Sequence, residues 1–260
     1  MGALAERLKA GETILSAWSA IPDSLTVEAI ASTGFDAVTL DMQHGGHHED
    51  SVLRSIVPLM QRGKPAVVRI PVGRFDMASR ALDFGAEAVI APMVNSLKDA
   101  RRFAAAANYP PRGERSWGPT FALPRSGEPG GQPWLESAAG RTLAFAMVET
   151  RAALALVDDI LAVDGIDGIF VGPADFSIAW TEGRKVDPTL PEMMDAIAHI
   201  AERVRLAGKL AAIYSVDPAL VGRYQTMGYR FFALGGDYQY ITQGAAGMIA
   251  SARNSFGSPR

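Results

Sequence analysis

The sequence predicts a single-domain α/β protein, a (β/α)₈ (TIM) barrel, and three observations carry that expectation. Short apolar runs of strand character alternate strictly with amphipathic segments, as in βαβ units on a parallel sheet. The alternation repeats at about thirty residues and yields eight strand–helix pairs, which favours closure over an open doubly wound sheet. The chain's 260 residues match the length of one complete barrel.

The expected strands are Ile14–Trp18, Ala37–Asp41, Ala66–Ile70, Ala88–Ala91, Leu143–Val148, Gly168–Val171, Leu210–Ile213 and Phe231–Leu234. Each is short, apolar and bounded by polar residues, the mark of a strand buried on both faces. Helical periodicity falls at Ser24–Ser32, Asp50–Gln61, Phe75–Phe84, Ser96–Ala107 and Arg151–Val163, then at Pro191–Ala207, Pro218–Met227 and Tyr240–Ala252. Glycines such as Gly85 and Gly228 stand where helices should stop before a strand. One segment, 108–141, breaks the rhythm with six prolines and six glycines. It reads either as an insertion loop with a helical turn near Trp134–Ala139 or as a mobile flap over the site.

Composition narrows the function classes. The chain is 48% hydrophobic and 20% charged, with 25 basic and 28 acidic residues giving a net charge of −3. No basic block or aromatic-interleaved basic stripe points to nucleic acid or a membrane surface. Cysteine is absent, which excludes disulfides, thiolate nucleophiles and Cys-ligated metals. The segment Met1–Gly11 is charged and helical in period, without the apolar stretch of a signal peptide, so a cytoplasmic protein is expected.

Catalytic groups of such barrels sit where strands end and eight loops converge. Asp41, Gln43 and His44 follow the second strand, Arg69 ends the third, Glu149 follows the fifth and Asp175 the sixth. Glu149 and Asp175, from adjacent strand ends, can supply carboxylate oxygens to a hard divalent cation. Alternatively, each caps the helix after it. Arg69 ends an apolar strand, where a guanidinium needs an anion: a salt bridge to Asp41 or Glu149, or the developing charge of a reaction. His44, three residues after Asp41, suits a general base whose tautomer the carboxylate fixes. His47 and His48 read as solvent-facing or supporting residues.

None of the five lysines falls at the C-terminal end of a strand, so no Schiff-base nucleophile is placed. Chemistry next to a carbonyl would then need a metal as electron sink. No G-x-G-x-x-G or Walker A pattern follows a strand. The stretch Gly172-Pro-Ala174-Asp175 reads as a carboxylate-binding turn or as a plain tight turn. Gly235-Gly236 is a candidate phosphate turn, and Trp117, Phe121 and Tyr214 are candidates to line a pocket.

These residues resemble the HpcH/HpaI aldolase family, which includes 4-hydroxy-2-oxoheptanedioate aldolase. The matching pieces are Asp41-Met-Gln-His44, Val68-Arg69, Ala91-Pro-Met-Val94 and Tyr109-Pro-Pro-Arg-Gly-Glu-Arg115, followed by Val148-Glu149 and Gly165–Asp175, in the family's order. The resemblance implies a metal-dependent (class II) aldolase, a carbon–carbon lyase acting at the C3–C4 bond of 4-hydroxy-2-oxo acids through a pyruvate enolate. It implies Mg²⁺, Mn²⁺ or Co²⁺ on Glu149 and Asp175, Arg69 against the enolate oxygen, and His44 oriented by Asp41 as base. Gly172 and Ala174 would anchor the pyruvate carboxylate, and Asp83 would reach a neighbouring subunit's His–Asp pair in a homohexamer. The substrates implied are pyruvate or hydroxypyruvate and an aldehyde. Met147 and Gln43 depart from the family, which commonly has glutamine and glutamate at those places. The rival expectations are a citramalyl-type thioester lyase, a phosphoenolpyruvate-dependent enzyme, or a barrel that binds a 2-oxo acid without turning it over.

Overall fold

A computed structural model describes residues 4–256; residues 1–3 and 257–260, part of the single domain expected over 1–260, lie outside the described residues. Eight parallel strands close in chain order: β1 (Ile14–Ser19), β2 (Ala37–Asp41), β3 (Ala66–Arg69), β4 (Ala88–Ala91), β5 (Leu143–Val148), β6 (Gly168–Val171), β7 (Leu210–Ser215) and β8 (Phe231–Leu234). Closure is made by β8 on β1, with Ile14 opposite Phe231 and Ala17 opposite Leu234. The expected strands recur with small shifts at their ends, and β1 and β7 run on to Ser19 and Ser215.

The helices, in order, are α1 (Leu4–Lys9), α2 (Ser24–Ala31), α3 (Glu49–Gln61), α4 (Asp76–Phe84), α5 (Leu97–Ala107), α6 (Ala122–Ser126) and α7 (Gln132–Arg141). They continue with α8 (Arg151–Ala155), α9 (Val157–Leu161), α10 (Pro173–Trp180), α11 (Met194–Leu206), α12 (Val221–Met227) and α13 (Asp237–Ser255). The single helix expected over Arg151–Val163 is two, because the backbone leaves helical geometry at Leu156 (φ −105°, ψ 8°). Pro191 and Pro218 open 3₁₀ turns ahead of α11 and α12. α10 was not anticipated: Gly172-Pro173 reads as a turn, yet proline suits the first helical position because its missing N–H would be unpaired there anyway.

Two cores follow from strand parity. Alternate strand residues point into the barrel, where Ile14, Val67, Ile90, Phe145, Phe170 and Phe231 pack together. Gly168 leaves the room that Phe145 fills, since a Cβ there would stand 2.7 Å from the ring. α1 closes the N-terminal end with Leu4, Ala5 and Leu8, and Glu87 accepts the Leu4 N–H at 2.7 Å. The other strand face packs beneath the helices, with Leu40, Val68, Val89 and Ile213 fully buried.

Segment 108–141 follows α5 and precedes β5, so it lies at the N-terminal end of the barrel. There it is folded: Arg115 pairs with Asp83 at 2.6 Å, Arg125 donates to the Phe84 carbonyl at 2.9 Å, and Trp134 of α7 is buried. The flap reading is therefore overturned for the chain's own strand-end site, because a helix-to-strand connection emerges at the opposite end. α13 behaves differently from every other helix. It starts three residues earlier than expected, and from Ile241 to Phe256 every residue is exposed. No helix among the described residues is long and apolar enough to cross a membrane.

Candidate active site

The parity that fills the barrel also aims the polar groups at its C-terminal rim. Asp41, Arg69 and Tyr214 occupy inward positions at the last turns of β2, β3 and β7, and Glu149 continues the inward row Phe145–Met147 of β5. Together with His44, Gly172, Ala174 and Asp175 they line one cavity of about 290 Å³. Larger clefts, of about 450 Å³ beside Arg101 and Asp159 and about 350 Å³ beside Lys64 and Trp134, contain none of these groups. Convergence of charged groups, not size, distinguishes the rim cavity.

Arg69 and Asp41 form a buried two-pronged ion pair, Nε to Oδ1 at 2.8 Å and Nη2 to Oδ2 at 2.7 Å. Asp41 also accepts the indole N–H of Trp18 at 3.3 Å and the backbone N–H groups of Gln43 at 3.0 Å, His44 at 3.4 Å and Gly45 at 3.1 Å. Burial opposes its ionisation, but the Arg69 hydrogen bonds and charge outweigh that and hold the carboxyl below the ordinary range. The guanidinium lies 4.7 Å from the Trp18 ring centroid. The expected hydrogen bond from Asp41 to the His44 imidazole is not among those of the described residues. The carboxylate holds His44 by its main chain, because the turn after β2 folds three successive N–H groups back onto it. The pair with Asp41, one of the expected roles for Arg69, is thus present, and Arg69 also lines the cavity.

Glu149 is 1% exposed, and its Oε1 accepts the Met93 N–H at 2.7 Å. It does not cap the next helix; Thr150 does, accepting from the Ala153 N–H. Burial, with a further push from the negative charge of Asp175, raises the Glu149 carboxyl to about 7 against the opposing effects of the Met93 N–H and Arg69. Asp175 stands in the first turn of α10 and faces the same cavity. A Cβ on Gly172 would come within 2.4 Å of Glu149 Oε2 and 2.9 Å of Met147 Cε, so the absent side chain makes room for the carboxylate. Two acids lining one shielded pocket repel one another, and a cation bound between them would relieve that repulsion. No group of three or more acidic or histidine side chains with metal-holding geometry occurs among the described residues, so a cation here would draw its other ligands from water and substrate.

No lysine lines the cavity. Lys64 and Lys209 donate to the carbonyls of Phe35 and Val163 at the starts of their strands. Of the aromatic candidates, Tyr214 lines the pocket, its hydroxyl donating to the Gly235 carbonyl at 2.7 Å. Trp117 instead packs on Tyr109, and Phe121 on Phe84, away from the rim. Asp83 is near the C-terminal end of α4, at the far end of the barrel, so the chain's own fold does not bring it to the cavity. Gly235-Gly236 is packed against Tyr240 and followed by the buried Asp237 carboxylate, which disfavours a phosphate.

A second cluster joins His47, expected to be solvent-facing or supporting, and Asp237, one of the polar residues after the eighth strand, to Ser19, which the sequence did not single out. Ser19, His47 and Asp237 are buried and bonded to one another at the exits of β1, β2 and β8. Burial depresses the His47 imidazole to about 4 against the pull of Asp237 and Asp41, so the ring is neutral. No periodic signal links positions 19, 47 and 237.

The chain is similar to known proteins in both sequence and fold. The chain is 36% identical over 243 residues to a hydroxypyruvate/pyruvate aldolase of Rhizorhabdus wittichii, covering 94% of this chain and 95% of the relative. It is 33% identical over 249 residues to a 4-hydroxy-2-oxo-heptane-1,7-dioate aldolase of Salmonella dublin, covering 95% and 93%. The fold matches that of an HpcH/HpaI aldolase from Desulfitobacterium hafniense, with a TM-score of 0.87 at 23% identity over 97% of each chain. Residues 15–243 match the profile of the HpcH/HpaI aldolase/citrate lyase family, and the chain belongs to that family.

Proposed function

We propose that the chain is a divalent-metal-dependent (class II) aldolase that makes or cleaves the C3–C4 bond of 4-hydroxy-2-oxo acids, with pyruvate or hydroxypyruvate as the nucleophilic partner. The observation that carries this reading is the buried Glu149 carboxylate facing Asp175, beside Arg69, in a cavity with no lysine. The two aldolase relatives described above are named for substrates of this chemical type.

Glu149 and Asp175 would hold Mg²⁺, Mn²⁺ or Co²⁺. Their hard oxygens and mutual repulsion suit such an ion, which when bound supplies a Lewis acid for the 2-oxo group. Arg69 is fixed by Asp41 through Nε and Nη2, so its remaining Nη1 is available to steady negative charge on the 2-oxygen. Gly172 and Ala174, at the start of α10 and lining the cavity, would receive the substrate carboxylate, since backbone N–H groups at a helix N-terminus favour an anion. In cleavage, His44 takes the C4 hydroxyl proton. The O–H electron pair becomes the aldehyde C=O, the C3–C4 pair moves into the C2–C3 enolate, and the aldehyde departs. Protonation at C3 then gives pyruvate.

The enzyme is further proposed to be a homo-oligomer, a hexamer by resemblance, in which Asp83 reaches a neighbour's rim. Its support is α13, whose Ile241, Met248 and Ile249 are 56%, 76% and 51% exposed on a helix that packs little on its own barrel. Apolar side chains displayed along such a helix mark a contact surface.

The test is condensation of pyruvate with a panel of aldehydes under different divalent ions. EDTA should abolish activity, and borohydride with pyruvate should leave it intact. Activity that survives EDTA but is lost on borohydride reduction would refute the assignment.

A further inference from the structure

The buried cluster of Ser19, His47 and Asp237 takes no part in the reaction above, yet it is built to one hydrogen-bonding plan. Asp237 Oδ2 accepts from Ser19 Oγ at 3.0 Å and from the N–H groups of Ala20 at 2.8 Å and Ile21 at 2.7 Å. A serine has one hydroxyl hydrogen, and a carboxylate can only accept, so that hydrogen goes to Asp237. Ser19 Oγ then accepts from His47 Nε2 at 3.0 Å. The other ring nitrogen faces Ser51 Oγ at 3.1 Å, and Ser51 Oγ also accepts the His48 N–H at 2.9 Å. From His47 through Ser19 to Asp237 the bonds run in one direction and tie the exits of three strands together, while the Ser51 hydroxyl also has the His48 carbonyl as an acceptor at 3.0 Å.

The exit of β2 is the one that bears on the chemistry, because it carries His44. This loop is held at its near end by Asp41, which accepts the N–H groups of residues 43, 44 and 45. Its middle lies directly on the β1 exit: Gly46 donates to the Ala20 carbonyl at 2.7 Å, and a Cβ on Gly45 would come within 2.8 Å of Ala20 Cα. Its far end is held by His47. With both ends fixed and the middle in contact, the main chain of His44 has little room to shift.

We infer that Ser19, His47 and Asp237 are positioning residues for His44, fixing the loop so that its imidazole meets the C4 hydroxyl of the substrate. The inference rests on the proposed role of His44 as the group that moves that proton. Asp237 is also the first residue of α13, so the same bonds join the start of the projecting helix to the His44 loop.

The test exploits two reactions that share an enolate but differ in the proton. Cleavage of a 4-hydroxy-2-oxo acid requires removal of the C4 hydroxyl proton. Loss of CO₂ from oxaloacetate breaks the equivalent bond and leaves the same pyruvate enolate, with no hydroxyl proton to remove. In the full chain loaded with Mn²⁺, S19A and H47L should lower kcat for cleavage by about 10- to 100-fold, the cost of a displacement on the order of 1 Å. KM, Mn²⁺ affinity and oxaloacetate decarboxylation should stay within about twofold, since metal ligands and Arg69 are untouched. H47Q, whose amide N–H can replace Nε2–H toward Ser19, should recover most of the loss. Parallel loss of both reactions in S19A, or unchanged cleavage in S19A and H47L, would overturn the inference. H44A separates the two claims: if it retains cleavage, the role given to His44 fails; if it abolishes cleavage while S19A and H47L retain it, only the positioning inference fails.

Discussion

Substituting Gly172 by alanine should weaken metal binding without removing a metal ligand. The new Cβ would lie 2.4 Å from Glu149 Oε2, whereas ordinary contact begins at 3.4 Å, so the carboxylate must retreat by about 1 Å. Met147 Cε, at 2.9 Å, is the end of a flexible side chain and can move aside at little cost. Glu149 cannot move so easily, because its other oxygen is held by the Met93 N–H at 2.7 Å. Either that bond is lost, at about 1 kcal/mol, or the carboxylate twists away from Asp175. Displacements of this kind typically cost 10- to 100-fold in metal affinity. Calorimetric titration of Mn²⁺ into the apo-protein near pH 8, without substrate, reads the effect directly. Thermal melting in EDTA should show a loss of about 1–3 kcal/mol from overpacking. A G172A protein that binds Mn²⁺ as tightly as the wild type would refute the claim that this glycine exists to seat Glu149.

Other expectations follow from the same geometry. Glu149 titrates near 7 in the fold instead of at 4.5, so the folded chain holds that proton more tightly than the unfolded chain between those values. Metal-free stability therefore falls as pH rises through this window, and Mn²⁺ affinity should fall as pH drops below about 7. E149Q should abolish Mn²⁺ binding yet stabilise the apo-protein near pH 8 by up to about 3 kcal/mol, as seen by denaturant titration; a less stable E149Q would contradict the burial argument. R69A should cost about 3–5 kcal/mol by stranding buried Asp41, so R69K is the cleaner probe of catalysis. It should cut turnover at least tenfold while leaving Mn²⁺ affinity nearly unchanged. Glutamate at both Met248 and Ile249 should reduce the sedimenting mass if α13 is a subunit contact, and an unchanged mass would count against it.

How much of this was legible in the sequence differs from feature to feature. The strands were readable because a parallel strand buried on both faces appears as an unbroken apolar run with polar ends, as in Leu143–Val148. That Glu149, Asp175 and Arg69 meet at one cavity was legible through the rule that chemistry gathers at strand ends, which needs only the strand boundaries. α10 was hidden because a Gly-Pro pair opens turns and helices alike. The bond between Asp41 and Arg69 spans 28 residues, while His44 stands three away and drew the pairing by nearness in sequence. Folding reversed that preference: adjacent parallel strands place Asp41 opposite Arg69, and the tight turn offers His44's amide instead of its ring. The 108–141 segment could have been assigned to the correct end from sequence, since any helix-to-strand link returns to the side where strands begin.

The facing carboxylates of Glu149 and Asp175 also bear on the order of events. Asp41 is already neutralised by Arg69, so these two acids dominate the charge at the mouth of the cavity. A 2-oxo acid arrives as an anion and meets repulsion there until a divalent ion is seated. On the proposed reading, addition is therefore ordered, ion before substrate, and departure runs in reverse. On the same reading bound pyruvate would bar the exit of the ion, and the enzyme would keep its metal best while at work.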